Sequence, residues 1–552
     1  MNKIIRFLLT IAVSSALFAC SSTSEVPEGD RLYTGLEPIK YTDYESNEHF
    51  TATQEEIEAA LDCPPNGAIF GSSYYRSPFP YSLWIWNAFH ESESPIGKWV
   101  TKTFGNQPVL MSWVNPALRA SVAQSQLRNH GYFRGTVSYE EKPYSKHPKA
   151  KIAYHVDCGH LFTIDTITYS NFPLNADSLI AASADEAKIK SGSPFDVVSL
   201  DAERNRLSNL FRNNGYYYYQ PSYASYRADT VNTPGKVKLD VELADNLPEK
   251  ALKKWYIGNI SINLRRTFME ELKDSIHYYF FRAYFNGKKP PVRPRVIMSD
   301  MKLRHGQPYD YSKHTESNNR IASKGMFSSV DFQFTPRDTT SACDTLDLLL
   351  NCVFDKPYDF YVETNYKGKT TGRMGPAMTI GFTKRNAFRG GEKLDINLNG
   401  SYEWQMGHSM SGSADDAHSY QYGADASLEF PRLLVPFLKR RRYNVTPSTL
   451  LKASSNVINR AGFFKRHVVS GELTYTFQPS ATSMHVFSPL TLQYDYMSSH
   501  SAKFDSVLNT SAYLQVSMKD QFVPKMKYTY MYTSPEKYRN PIFWQMSISE
   551  AG

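Results

Sequence analysis

The chain has 552 residues, 14% of them aromatic, and a formal net charge of +8. After its first residues it contains no run of roughly 18 apolar residues, and its mean hydropathy is −0.47, which excludes a membrane-spanning helix. The charge does not indicate nucleic acid, because Lys and Arg are spread along the chain and only residues 439–442 form a dense basic cluster. We interpret that cluster, which lies between two strand patterns, as a solvated loop near anionic head groups.

The first residues have the pattern of an export signal. Two basic residues precede an apolar run from Phe7 to Val13, which is too short to cross a bilayer as a helix. Cys20 directly follows a small residue, as in lipoprotein signals, although Phe18 stands where a smaller residue is more usual. Residues 1–19 are therefore predicted to be a lipoprotein signal peptide and Cys20 the lipidated residue, with residues 20–35 as a polar tether. A plain signal peptide with an incidental cysteine is the alternative.

Residues 36–355 contain the same junction three times. A helical pattern ends at a glycine, and an aromatic or bulky residue then opens a strand; this occurs at Gly131, at Gly215 and, more weakly, at Gly325. Glycine readily adopts the left-handed conformation that ends many helices. We therefore predict that these glycines end the second helix of a repeated unit, and that Gly131 and Gly215 have positive φ.

Strand patterns flank each junction, so each unit is predicted to contain strand, helix, helix, strand and strand over roughly 80–110 residues. We place the units at residues 36–158, 159–248 and 249–355. The first unit includes an insertion, and it contains four tryptophans: Trp84, Trp86, Trp99 and Trp113. We expect these side chains in the core of the unit; the alternative is the membrane surface, where Trp is favoured.

From residue 356 onwards, short stretches alternate strictly between apolar and polar residues. One face of Leu394–Asn399 is aliphatic and the other holds Asp and Asn, and the same period runs through nine or ten stretches, including that of Leu514, Val516 and Met518. This pattern predicts an antiparallel transmembrane β-barrel with an apolar outside and a polar interior. A large soluble β-sandwich also alternates, but the many carboxylates on the second face oppose an apolar interior.

This order of elements resembles the BamA/TamA outer-membrane assembly superfamily, whose POTRA domains have the strand–helix–helix–strand–strand pattern. Gly381–Glu392 is similar to the first barrel hairpin of that family, and Leu428–Leu434 to a later strand that ends at a proline. The lipoprotein signal and Gly105–Leu110 are similar to the TamA-like lipoproteins of the Bacteroidota, called TamL. Family barrels have sixteen strands, so the resemblance implies that residues 356–552 hold about nine or ten of them and that the chain is C-terminally incomplete. A smaller complete barrel is the alternative.

The resemblance implies a protein that inserts or exports β-barrel or surface proteins. Its POTRA units would bind polypeptide by strand addition, and its barrel would open laterally at a seam strand with Tyr358, Phe360, Val362, Glu363 and Tyr366. It also implies an outer-membrane location with periplasmic POTRA units. The implied partners are a TamB-like periplasmic protein, unfolded outer-membrane proteins and membrane lipid, but no nucleic acid. Two alternatives stay open: a two-partner-type secretion porin for a specific partner protein, and a non-catalytic surface β-protein.

The sequence has no signature of an enzyme. It contains no Gly-x-Ser-x-Gly or His-Glu-x-x-His motif and no cysteine or histidine spacing typical of a metal site, so we expect no catalytic residue, cofactor or metal. An exported chain can form disulfides, and four cysteines allow three pairings, among which the sequence does not choose. The cysteines besides the proposed lipidation site are Cys63, Cys158, Cys343 and Cys352.

Replacing Cys20 with Ala is expected to abolish the incorporation of labelled fatty acid, because the thiol is the site of acylation. Metabolic labelling followed by immunoprecipitation measures this. Cys63→Ala, which alters a cysteine outside the signal, should leave the label unchanged. Equal labelling of Cys20→Ala and the parent chain would remove the lipoprotein assignment.

Overall fold

The computed structural model describes residues 22–145, 147–231, 233–370, 373–405, 418–435, 443, 445–510, 512–535, 538 and 540–552. They form two compact units. The first consists of the chain up to Phe211 together with Tyr218–Leu252, and the second of Arg212–Tyr217 and Lys253–Gly552. Within the described ranges, no helix is both long enough and apolar enough to cross a bilayer.

A four-stranded sheet covered by helices begins the first unit. Its strands are β1 (Leu32–Leu36), β2 (Lys40–Thr42), β3 (Thr136–Pro143) and β4 (Lys149–Asp157). β1 and β2 pair in parallel with successive parts of β4, whereas β3 pairs with β4 in the antiparallel direction. All five residues of β1 are buried. The predicted tether of residues 20–35 is therefore too long, because Leu32 and Tyr33 already belong to the core of the first repeat.

Five helices lie between β2 and β3: α1 (Glu48–Leu61), α2 (Tyr81–Phe89), α3 (Pro95–Phe104), α4 (Met111–Val114) and α5 (Pro116–Asn129). α1 and α5 supply the core through residues four apart, which share one face of a helix: Ile57 and Leu61, and Ala123 and Leu127, all fully buried. The remaining helices belong to the insertion. The prediction that its tryptophans are core residues is wrong for Trp99 and Trp113, which are each 60% exposed.

The second repeat has the predicted order of strand, helix, helix, strand and strand. Its elements are β5 (Thr163–Ser170), α6 (Leu174–Ala182), α7 (Val197–Asn213), β6 (Ala224–Asp229) and β7 (Lys236–Leu243). β7 lies between β5 and β6. Short 3-10 turns occur at Ala184–Glu186, Pro221–Tyr223 and Glu249–Ala251. A fully buried carboxylate, Glu203, is tolerated because Arg206, at 2.6 and 2.9 Å, and the Tyr169 hydroxyl, at 2.8 Å, donate hydrogen bonds to it.

The third repeat departs from the predicted pattern by an added hairpin. Its elements are β8 (Tyr256–Arg265), β9 (Asp274–Tyr278), β10 (Phe281–Phe285), α8 (Pro294–Met298), α9 (Tyr311–Ala322), β11 (Phe327–Pro336) and β12 (Thr345–Phe354). The sheet order is β11-β12-β8-β10-β9. β9 and β10 stand where a full first helix was expected. Because β10 pairs in parallel with β8, the added hairpin extends the sheet on that side.

The rest of the second unit is one antiparallel sheet of nine described strands, each paired with its neighbours in sequence. The strands are β13 (Tyr358–Gly368), β14 (Arg373–Lys384), β15 (Lys393–Gln405), β16 (His418–Phe430), β17 (Ser448–Arg460), β18 (Phe464–Ser480), β19 (Ser483–His500), β20 (Gln521–Thr533) and β21 (Phe543–Ala551). The strand predicted around Leu514, Val516 and Met518 is wrong. Two helices, α10 (Ala502–Thr510) and α11 (Ala512–Ser517), occupy this connection. The basic cluster at residues 439–442 lies outside the described residues.

The junction glycines all have positive φ, at +86° for Gly131, +104° for Gly215 and +65° for Gly325.

Beside the first of these glycines, His130 links the first two repeats. Its Nε2 lies 3.0 Å from Glu56 Oε2 and its Nδ1 lies 3.3 Å from Asp196 Oδ1. The hydrogen bond to Asp196 raises the pKa of His130. The stability that the charged imidazole adds is therefore present below the ordinary pKa of histidine and is lost as the pH rises through the raised value.

Gly131→Ala is expected to destabilise the first unit more than Gly325→Ala destabilises the second. Both variants place an alanine at positive φ, which costs about 1 kcal/mol. At Gly131 the new Cβ would also lie 2.6 Å from the carbonyl oxygen of Phe195, whereas nothing lies within 4 Å at Gly325. Amide hydrogen exchange of the flanking strands gives the free energy of local opening for each variant. Equal losses in the two variants would contradict the steric argument.

Candidate functional site

The nine-stranded sheet has one apolar and one polar face. On the apolar face, Val362, Ile380 and Leu398 stand side by side on the first three strands. Large side chains of this face are exposed on several strands, among them Phe360, Leu398, Val469, Tyr494 and Phe522. Exposed apolar side chains on so many adjacent strands indicate that this face meets lipid rather than water.

Polar side chains are connected across strands on the opposite face. Asn397 accepts a hydrogen bond from the Tyr361 hydroxyl at 3.0 Å and donates one to Asp425 at 3.0 Å. Further along the sheet, Arg466 forms an ion pair of 2.7 Å with Asp495. These contacts satisfy polar groups that are partly withdrawn from water, as the interior of a barrel-type sheet requires.

β13 is an edge strand, and its hydrogen-bonding pattern shows which groups are available. Pro357 accepts from the Arg385 amide at 2.9 Å, and the Lys369 amide donates to Arg373 at 2.7 Å. In an antiparallel ladder, alternate residues bond to the partner strand, and the register between these two points is unbroken. The residues whose N–H and C=O groups point away from β14 are therefore Tyr358, Phe360, Val362, Thr364, Tyr366 and Gly368. Among the described strands, none pairs with this side of β13.

The residues expected to form the seam fall on both faces of β13. Phe360, Val362 and Tyr366 are on the apolar face and are 69%, 49% and 63% exposed, and Tyr358 is also on that face. Glu363 is on the polar face, where it accepts a hydrogen bond from the Asn365 side chain at 2.7 Å. The outward backbone groups thus belong to the same residues that present apolar side chains.

Sequence reasoning missed the contact that holds β13 to its neighbours. The ring of Tyr361 covers Gly381 on β14, where an added Cβ would lie 2.0 Å from the Tyr361 Cε1 atom. Its hydroxyl reaches Asn397 on β15. Only glycine leaves room for the ring at this position. Tyr361 and Gly381 lie twenty positions apart in sequence, so the register was needed to find their contact.

The turn between β14 and β15 is attached to the third repeat. The Asn386 side chain donates to the carbonyl of Pro291 at 2.9 Å, and Arg389 Nε donates to that of Pro290 at 3.0 Å. In return, the carbonyl of Arg389 accepts from the Arg293 amide at 3.0 Å. The segment with this turn is the one that resembles the family's first barrel hairpin. These hydrogen bonds hold the first hairpins of the sheet against the third repeat.

Each repeat also has an antiparallel strand from its C-terminal half at one edge of its sheet. β3, β6 and β11 each pair with a single neighbour among the described strands. β11 is the longest of the three, with 10 residues. On the other side of the third sheet, the added hairpin covers β8. β3, β6 and β11 are thus edges to which an extended segment could add, and β5 and β9 are the opposite edges of the second and third sheets.

Cys20 lies outside the described residues. Cys63, Cys158, Cys343 and Cys352 are all free thiols. Among the described residues, no group of three or more His, Cys, Asp or Glu side chains is placed to hold a metal ion.

Within each repeat the last strand of the unit pairs with both the first strand and the strand before it. A sheet with one exposed apolar face follows. This is the fold class predicted from the sequence, α+β POTRA-like repeats followed by part of an antiparallel barrel-type sheet, and it is confirmed. No family profile matches the chain, and no curated protein sequence matches it.

Three solved structures illustrate what this chain is similar to. BamA from Haemophilus ducreyi lacking POTRA domains 1–3 is 11% identical with a TM-score of 0.41, over 71% of this chain and 64% of that one. POTRA domains 3–5 of Haemophilus influenzae BamA are 10% identical with a TM-score of 0.30, over 60% and 99% of the two chains. CdiB from Acinetobacter baumannii is 12% identical with a TM-score of 0.25, over 71% and 69%. These TM-scores are low, so the fold is assigned from strand order. The chain spans about 64% of the length of the H. ducreyi structure.

Gly381→Ala is expected to loosen β13, because its Cβ would displace the Tyr361 ring and break the hydroxyl contact with Asn397. A lost cross-strand aromatic contact costs about 1 kcal/mol. Hydrogen exchange of the β13 amides should accelerate accordingly. Gly400→Ala on β15 is the matched control, since nothing lies within 4 Å of its Cβ. Unchanged exchange in Gly381→Ala would show that Tyr361 does not hold the edge.

Proposed function

We propose that this protein is an outer-membrane assembly or translocation factor that inserts or exports β-barrel or surface proteins. The observation that carries the proposal is the outer side of β13, where six successive alternate residues direct backbone N–H and C=O groups away from the sheet. The residues that carry these groups lie on the apolar, exposed face of the strand. An edge of this kind in a lipid-facing sheet is a template for another strand.

The mechanism follows from the cost of unpaired backbone groups in lipid, which is several kcal/mol for each group. A substrate strand that adds to β13 gains partners for its own backbone while it enters the membrane. The opening seam lies beside β13, between the first and last strands of the barrel. The reaction needs no acid, base, nucleophile, nucleotide or metal.

The repeats supply the first binding sites for the substrate. β3, β6 and β11 bind extended polypeptide by backbone hydrogen bonds, which tolerate many sequences. The contacts of Asn386 and Arg389 with the third repeat keep that repeat beside the first strands of the sheet. We propose unfolded outer-membrane proteins and a TamB-like periplasmic protein as partners. The repeats face the periplasm, and the acyl group on Cys20 holds the protein at the outer membrane.

Val362→Pro tests the template directly. Proline removes the outward N–H of Val362 and leaves the ladder between β13 and β14 intact, because Val362 is not one of the residues bonded to β14. One hydrogen bond contributes about 1 kcal/mol, so the rate of substrate insertion is expected to fall roughly fivefold or more. The measurement follows insertion of unfolded barrel proteins into vesicles that contain the complete protein.

Two controls accompany Val362→Pro. Val362→Leu keeps the outward N–H and should insert substrate at the normal rate. Hydrogen exchange of β14 shows whether the proline variant is folded. A folded Val362→Pro variant that inserts substrates at the normal rate overturns the template mechanism. A defect confined to the export of one partner protein, with general insertion unchanged, would instead favour a two-partner-type secretion porin.

A further inference from the structure

The insertion in the first unit exposes an apolar helix face that its own unit does not cover. On α3, Ile96 is 76% exposed, Trp99 60% and Phe104 53%, although each is a large apolar residue. At 100° per residue, Ile96, Trp99 and Thr103 lie within about 60° of one another. The ring of Phe104, at the end of the helix, contacts that of Trp99, with 5.7 Å between the centroids. The neighbouring side, with Gly97, Val100 and Thr101, is the less exposed one. Single exposed apolar residues are ordinary, but a stripe of them on one helix indicates a binding surface.

The charges of α3 indicate what covers this stripe. Lys98 and Lys102 are exposed and lie next to Trp99 around the helix, and α3 contains no acidic residue. Lysine stems run along apolar surfaces while their ammonium groups reach phosphates, and tryptophan favours the boundary between head groups and acyl chains. A stripe of this composition suits an anionic lipid surface better than a protein partner.

The position of the chain's beginning supports the same occupant. Glu25 Oε2 lies 3.5 Å from His90 Nε2, and the His90 ring stacks on Trp86 of α2 at 4.1 Å. Cys20 precedes Glu25 by five residues, which span at most about 18 Å. An acyl group on Cys20 would therefore enter the membrane close to the helices of the insertion.

We propose that α3 is a membrane-surface helix that lies on the bilayer beside the acyl anchor, with Trp99 at the acyl boundary and Lys98 and Lys102 at the lipid phosphates. The inference rests on the proposed lipidation of Cys20 for its location. An acyl anchor and an interfacial helix are two membrane signals, and together they hold a domain at a surface more firmly than one signal does. α3 thereby fixes one side of the first repeat against the membrane.

The test places an environment-sensitive fluorophore on Trp99→Cys in the complete protein, with Cys63→Ser removing the partly exposed thiol. The protein is reconstituted in vesicles of phosphatidylethanolamine and phosphatidylglycerol whose acyl chains are brominated. Bromine is expected to quench the probe at least about twofold, as contact with the acyl boundary requires. A probe on Ser125→Cys, at an exposed polar position of α5, is the matched control and should not be quenched. Adding Lys98→Glu and Lys102→Glu should reduce the quenching at position 99.

The outcomes separate this inference from the lipid anchor. Fatty-acid labelling of Cys20 with no bromine quenching at position 99 overturns the helix assignment and leaves lipidation standing. Quenching in a chain that incorporates no fatty acid supports the helix assignment and removes the anchor. Self-quenching between probes without any effect of bromine would show that α3 meets a second copy of the chain, which also overturns the inference.

Discussion

Backbone N–H and C=O groups that meet lipid must have partners, and the organisation of the second unit depends on this requirement. Between β14 and β20 every strand has a neighbour on each side, so the ladder satisfies its own backbone. β13 and β21, the two end strands of the described sheet, each have one neighbour within it, so the outward groups of β13 find no partner among the described strands. On the polar face, the Tyr361 ring packs over Gly381 and strengthens the attachment of β13 to β14. The ring does not cover the outward backbone groups of β13. The side of β13 that faces β14 is thus fixed, and none of the described strands pairs with its other side.

The third repeat stabilises the same region from outside the sheet. Its contacts to Asn386 and Arg389 are made with backbone carbonyls of Pro290 and Pro291, whose own backbones are stiff. Asn386 and Arg389 have positive φ, a conformation that non-glycine residues seldom adopt without such support. The hydrogen bonds to the third repeat therefore stabilise the strained backbone of this turn. A change in the position of the third repeat would act first on the hairpin next to the edge strand.

Regular periods made most of the fold predictable from the sequence. Alternation over ten or more residues marked β15 and β16, and the glycine junctions marked the repeats, because each reports a local requirement of the backbone. The sequence did not predict β17, because Ser and Asn occur on both of its faces and hide its alternation. The stretch with Leu514, Val516 and Met518 was wrongly predicted to be a strand, because a few apolar residues fit a helix and a strand alike. The β9–β10 hairpin, the buried β1 and the Tyr361 contact depend on partners distant in the chain. The exposure of Trp99 was not predictable, since composition does not tell a core stripe from a surface stripe.

The outward groups of β13 and its apolar side chains come from the same alternate residues, and this has a consequence for any strand that joins the edge. When an incoming antiparallel strand shifts by one residue, its whole set of side chains changes from one face of the sheet to the other. A newcomer whose apolar residues are in phase with Phe360 and Val362 places them in lipid. A newcomer out of phase must bury its polar side chains there instead. The edge therefore favours the one register of an alternating strand that places its apolar side chains in lipid, without recognising any one side chain.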